Sequence, residues 1–237
     1  MRLAFIHLSA LILFSCQPTE KKKIGEVSYK GAMKEIMSGD ISSKADLLNF
    51  KDTPNFYALG ALENLKGEIQ IFNSESFNTS VKKNSLNYEK TLSQKAALLV
   101  YAEVPEWRKF KIPKGVSTEK QFEAYLLKVA SENNIDIESP FPFLLNGMIQ
   151  SYSWHVINWR KGDTLHTHRK HKTSGLYGTI NDRKVDMLGF YSNKHHGVFT
   201  HHETNFHMHV KTDGNGVSGH VDEFIISEGM FLMLPKI

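Results

Sequence analysis

Residues 205–224 read NFHMHVKTDGNGVSGHVDEF. From Asn205 to Lys211 polar and apolar residues alternate with period two, which predicts a strand with His207 and His209 on one face. Asp213-Gly214-Asn215-Gly216 is a hairpin turn signal, because Asn, Asp and Gly tolerate the left-handed backbone a tight turn requires. A loop at Gly214-Asn215 sets His209 opposite His220, whereas a loop at Asp213-Gly214 sets His207 there. Either register places all three imidazoles on one face. Directly opposed side chains have Cβ atoms roughly 4.5–5.5 Å apart, close enough for three rings to converge on one ion.

Three neutral nitrogens with an open fourth position suit Zn²⁺ in a catalytic role, although imidazole also suits Cu, Ni and Fe. Asp222 shares a face with His220 and is placed to orient a ligating histidine. His-x-His on a strand often binds nothing, and the third histidine is what favours a metal here. A cupin metal strand is the competing interpretation, with Asp213 as its carboxylate. His220 stands where the cupin glycine should fall, so the cupin ranks lower.

Outward from this hairpin, residues after about 143 read as short strands and turns, at 148–158, 176–180, 186–191, 205–211, 217–226 and 230–234. Their connections are too short for crossover helices, so the sheets are expected to be antiparallel. Before that point, helices are expected at 29–39, with Gly39 as the stop, and at Lys44–Phe50, opened by Ser42 or Ser43. Gly67–Phe72 and Ala96–Val104 read as strands. The clearest helix is 119–133. Thr118 and Gln121 form a capping box, and Phe122, Tyr125, Leu126 and Val129 keep helical spacing. The pattern predicts an α+β fold of mostly antiparallel sheets with a few helices. It divides into an N-terminal α+β part, 29–140, and a C-terminal β-rich part carrying the metal site, 141–237.

The chain of 237 residues is long enough for a substantial core, and 41% hydrophobic with 23% charged residues marks it as globular. A net charge of +4 without a basic stripe gives no indication of nucleic-acid binding. Cys16, the only cysteine, follows the apolar stretch 3–14 and precedes a polar run. This is the pattern of a lipoprotein signal, 1–16, ending at a lipidated Cys16, with a tether over 17–28. A plain secretory signal or an uncleaved anchor is the alternative. The reading predicts an exported chain, lipid-anchored to a bacterial membrane and facing the periplasm or exterior. No other segment is long and apolar enough to span a bilayer.

Several stretches together resemble the acetolactate decarboxylase family over most of the chain. They are NFYALGALENLKGEIQIFN (55–73), AALLVYAEVPEWRKFKIPKGVSTEKQFEAYL (96–126) and FPFLLNGMIQSYSWHV (141–156), the last similar to an Asn/Asp-Gly hairpin of the family. GLYGTI (175–180) and MLGFYS (187–192) are similar to two later strands. The opening stretch carries the family's zinc pattern, His-x-His, nine residues, then Gly-His-Val. The resemblance implies His207, His209 and His220 as Zn²⁺ ligands and Glu68 as the glutamate beside the metal. It implies conversion of 2-acetolactate, a 2-hydroxy-3-oxo acid, to acetoin and CO2. It also implies two closely packed sub-domains with the metal in the cleft, and a dimer as in many members.

A Lewis acid holding the hydroxyl and carbonyl oxygens would stabilise the charge left as CO2 departs, and a neighbouring carboxyl, Glu68, would deliver the proton. The family's active-site arginine has no direct counterpart. An ungapped reading puts His155 there, with Arg160 five positions on, and both are candidates for substrate binding. Ala61 stands where the family has threonine. His166, His168, His171, His195, His196, His201 and His202 lie in loop-like sequence, where solvated side chains are expected over a second metal site. Trp107, Trp154 and Trp159 read as core or cleft wall.

Overall fold

The computed structural model describes residues 24–212 and 216–237. Cys16, the expected signal and the Asp213-Gly214-Asn215 turn lie outside the described residues. The first sheet is built from β1 (Ser28–Lys30), β2 (Ala45–Asp46), β3 (Phe56–Leu62), β4 (Glu68–Phe72), β5 (Glu75–Ser76), β6 (Asn78–Lys82), β7 (Ser85–Glu89) and β8 (Lys95–Glu103). Its order is β1-β8-β3-β4-β6-β7, with β2 on β8 and β5 on β4. The second contains β9 (Trp107–Lys111), β10 (Phe141–Val156), β11 (Leu176–Tyr191), β12 (Phe206–Lys211), β13 (Gly219–Ile226) and β14 (Phe231–Pro235). Its order is β11-β12-β13-β10-β14-β9, and β10 also pairs with β11. All these ladders are antiparallel, and the fold is α+β with few helices, α1 (Met33–Met37), α2 (Glu119–Glu132) and α3 (His168–Thr173).

Three apolar clusters hold the fold together. Phe122, Leu126 and Val129 of α2 pack on Phe143, Leu145 and Phe224 of the second sheet. Burying Phe122 and Leu126 contributes about 1.5–3 kcal/mol each. Tyr57 and Leu59 of β3 and Val100 of β8 meet Leu188 and Phe190 of β11, and this layer joins the two sheets. The far face of β3, through Phe56 and Ala58, packs under Leu47.

The Thr118–Gln121 capping box forms as the sequence predicts, and α2 runs to Glu132. Other expectations need correction. Residues 28–30 leave the expected helix to pair with β8, so α1 is short. Ala45–Asp46 is a strand, and Leu47–Phe50 is a 3-10 turn capped by the Asp46 side chain, not by Ser42 or Ser43. Asn146-Gly147 makes no hairpin turn. It lies inside β10, where the neighbouring strand changes from β14 to β13. Gly147 has φ 140°, and a Cβ there would lie 3.1 Å from the Met230 backbone, so the close approach demands glycine. The expected strands 176–180 and 186–191 are one strand, which keeps a single register with β10 from end to end and carries Asp182 at φ 48°. The chain passes from the first sheet to the second between Glu103 and Trp107, since β9 pairs with β14 and α2 packs on the second sheet. The expected tether does not extend to 28, since Gly25 N–H donates to Glu103 O and β1 starts at Ser28. Among the described residues, no helix is long and apolar enough to cross a membrane.

Candidate metal centre

The strand period puts His207 and His209 on one face of β12, and the β12–β13 ladder sets His209 opposite His220. Of the two registers open to the sequence, this is the one a Gly214-Asn215 loop would give. On its other side His220 pairs with His155 of β10, so three imidazoles form a row across three strands. One nitrogen from each of His207, His209 and His220 lies within 4.8 Å of the other two. The Nε2 atoms of His207 and His209 are 3.1 Å apart. Two nitrogens sharing one tetrahedral zinc stand about 3.3 Å apart.

All three rings are buried, and burial is the first reason that each titrates below the usual histidine range, reinforced by neighbouring imidazoles. Burial thus favours the uncharged ring, the form whose lone pair a cation could use. Nδ1 of His207 and Nδ1 of His220 are buried without a hydrogen-bond partner. The facing Nε2 atoms of His207 and His209 are the donors a cation at the cluster would draw on. The donor set therefore fits a divalent metal.

Two side chains of β4 reach the cluster from the first sheet. Glu68 accepts a hydrogen bond from Ile157 N–H at 3.0 Å and lies 3.9 Å from both His155 Nε2 and His209 Nε2. Burial pushes its carboxyl up to about 7, opposed by the neighbouring His220 imidazole and by Ile157 N–H. Gly67 has φ 148°, and a Cβ there would strike Thr79 O, so glycine lets the backbone bring Glu68 into the interior. Gln70, two residues on, points to the same side. Its amide is best oriented with nitrogen donating to Phe77 O at 2.8 Å and oxygen accepting from Gly219 N–H at 3.1 Å. The same oxygen then faces His209 Nδ1 at 3.3 Å, which fixes the proton there and turns Nε2 toward its partners.

Asp222 lies 3.6 Å from His220 Nδ1, on the shared face its parity predicts. Its hydrogen bonds go to His155 Nδ1, at 3.0 and 3.1 Å, and Lys172 Nζ lies 3.3 Å away. Burial alone would raise Asp222, but the His155 and His220 imidazoles hold it well below the usual carboxylate range. His155 is thus in the site, packed against His220 with ring centroids 4.5 Å apart and the rings tilted by 33°. Arg160 is not. It is exposed and lines neither cavity beside the histidines, because the chain turns away after β10 and Trp159 N–H anchors on Leu65 O.

The loop histidines also depart from expectation. His201 Nε2 lies 3.2 Å from His220 Nε2, and His168 of α3 packs on the His201 ring at 5.0 Å. Burial keeps His201 well below its ordinary pKa. His166 stacks on Trp159 and contacts His171, so these too are packed, while His196 and His202 stay exposed. No local period announces His201. Its place comes from the Gly197–Thr200 turn, which folds the loop back over the cluster. Gln70 was equally hidden, as one polar residue in an apolar strand.

The same architecture occurs in known structures. The fold is that of the acetolactate decarboxylases. Acetolactate decarboxylase from Bacillus subtilis strain 168 superposes with a TM-score of 0.70 at 11% identity, over 90% of this chain and 86% of that one. The enzyme from Bacillus subtilis subspecies spizizenii gives 0.71 at 11%, covering 90% and 87%. A Staphylococcus aureus protein of unknown function, described as similar to the same enzyme, gives 0.66 at 13%, covering 88% and 85%. No family model matches the sequence, and a comparison with curated proteins gave no match. At such identities the likeness establishes the fold and leaves the chemistry to the site.

Proposed function

We propose that this chain is a zinc-dependent carboxy-lyase that converts 2-acetolactate, or a close 2-hydroxy-3-oxo acid relative, to acetoin, or the matching hydroxyketone, and CO2. The observation that carries the reading is the meeting of three buried imidazoles from the second sheet with buried Glu68 from the first. A zinc ion held by His207, His209 and His220 would polarise the substrate's hydroxyl and keto oxygens. The C1–C2 bond breaks, CO2 leaves, and the electron pair passes from C2 toward the C3 oxygen. Glu68 then gives its proton to carbon and takes one back from solvent, so each turnover consumes one proton. Gln70 holds His209 in the ligating tautomer, and Asp222 orients His155 beside the ligand His220. The fold's likeness to acetolactate decarboxylases supports this reaction class.

A second reading is favoured by the position of Arg160. With that guanidinium outside the cavities and His155 engaged by Asp222, no arginine among the described residues lines the two cavities beside the histidines to offer a bidentate fork to a carboxylate. The chain would then be a lipid-anchored metal- or ligand-binding relative without the reaction. CO2 release from 2-acetolactate by the zinc-loaded protein separates the two. Stoichiometric zinc without CO2 release would establish the binder. Export and anchoring through Cys16 belong to both readings. They predict recovery in the membrane fraction and release by Cys16→Ser. Sedimentation of the purified protein tests the homodimer.

A further inference from the structure

The cavity in front of Glu68 and the histidines has an apolar wall that the chemistry at carbon does not use. It encloses about 540 Å³ and is bounded on one side by Glu68, His155, His207 and His220. The facing wall is Met33, Ile36 and Met37 of α1, with Ala61, Leu65 and Ile157. Ala61 pairs directly with Glu68 across the β3–β4 ladder, so its methyl group stands beside the carboxyl. Helix α1 is held in place by Met33 N–H and Lys34 N–H donating to Val198 O and Gly197 O, both at 2.8 Å. Met37, 43% exposed, stands at the mouth.

A five-carbon acid occupies on the order of 150 Å³, about five water volumes. It would leave most of this chamber to water against hydrocarbon. Pockets of this size ordinarily enclose larger, largely apolar ligands. Met33, Ile36 and Met37 lie along about 6 Å of helix axis, the reach of about five extended methylenes. Methionine adapts its shape to a flexible chain.

We propose that the preferred substrates are 2-hydroxy-3-oxo acids bearing a hydrocarbon substituent longer than methyl, seated against α1, with 2-acetolactate the smallest member accepted. This rests on the reaction proposed above and adds the substrate class. The wall selects by burial of methylenes, while the hydroxyl and keto oxygens keep the reacting carbon near Glu68.

The test uses unreactive 2-hydroxy-2-alkyl carboxylates, which can chelate the cation without losing CO2. The zinc-loaded protein is titrated by calorimetry with a series from methyl to octyl. Affinity is expected to rise about three- to fourfold per added methylene up to about five, then level. Met37→Glu places a charge on the wall at a half-exposed position. It should weaken the longest ligand at least tenfold and the methyl member less than twofold, whereas Met37→Leu should keep the slope. In parallel, CO2 release from a pentyl-substituted 2-hydroxy-3-oxo acid should exceed that from 2-acetolactate in kcat/KM. A flat or falling series in the wild type, with zinc bound and 2-acetolactate turned over, overturns the substrate class alone. Failure to bind zinc, or to release CO2 from any member, overturns the reaction as well.

Discussion

β3 and β12 are both buried, β3 along its whole length and β12 apart from Lys211, yet they bury different things. β3 is FYALGAL, apolar on both faces, and joins the cluster between the sheets to the cluster beyond them. β12 is FHMHVK and places two imidazoles where β3 would place hydrocarbon. Desolvating those rings works against stability, and two of the three clustered histidines leave a nitrogen unpartnered. A polar row inside an otherwise apolar interior breaks the local rule of burial, as functional sites commonly do.

That comparison can be broken at several points. The largest effect is expected from Glu68→Gln, which keeps the shape and the Ile157 contact but removes the acid. CO2 release should fall about 10²–10⁴-fold with zinc content unchanged, measured by gas evolution and metal analysis together. Equal turnover in the variant would remove Glu68 from the reaction. Leu59→Ala in β3 should cost about 2–5 kcal/mol in denaturant unfolding, since Leu59 has no exposed surface. The folded variant should still bind zinc, because β3 supplies packing and no ligand.

Gln70→Ala sharpens the contrast from the neighbouring strand. Loss of the group that orients His209 should weaken zinc binding about 10–100-fold in a chelator competition. An unchanged affinity would show that the ring is held by packing alone. The smallest effect, and the only one of opposite sign, is expected for His207→Leu. In chelator-treated protein it should raise stability by about 1 kcal/mol, because hydrocarbon of similar size replaces a ring whose Nδ1 is buried without a partner, against loss of its Nε2 contact with His209. Destabilisation there would mean that His207 is a satisfied structural residue.

The same contrast explains what could be read from sequence. The β12–β13 hairpin was legible because period-two alternation and a DGNG turn set the parity of three histidines without knowledge of the rest. Thr118 and Gln121 announced α2 because a capping box is local. β3 passed unrecognised, since a strand buried on both faces has no alternation to read. Asn146-Gly147 has the composition of a turn, but its glycine answers to the Met230 backbone, which only the tertiary structure supplies. His201, His155 and Gln70 reached the site from a loop and two other strands, and no spacing along the chain encodes that meeting. Glu68 was accessible only through resemblance. By itself it is an acidic residue at the start of a strand, and burial alone distinguishes it.

The most direct test is metal analysis of the purified protein beside His209→Ala, after equilibration with zinc and removal of excess. The geometry predicts about one ion per wild-type chain and an affinity at least about a hundredfold weaker in the variant, with the fold retained by circular dichroism. A wild-type protein that holds no metal, or a variant that holds it equally well, would contradict the assignment of this cluster as a metal centre.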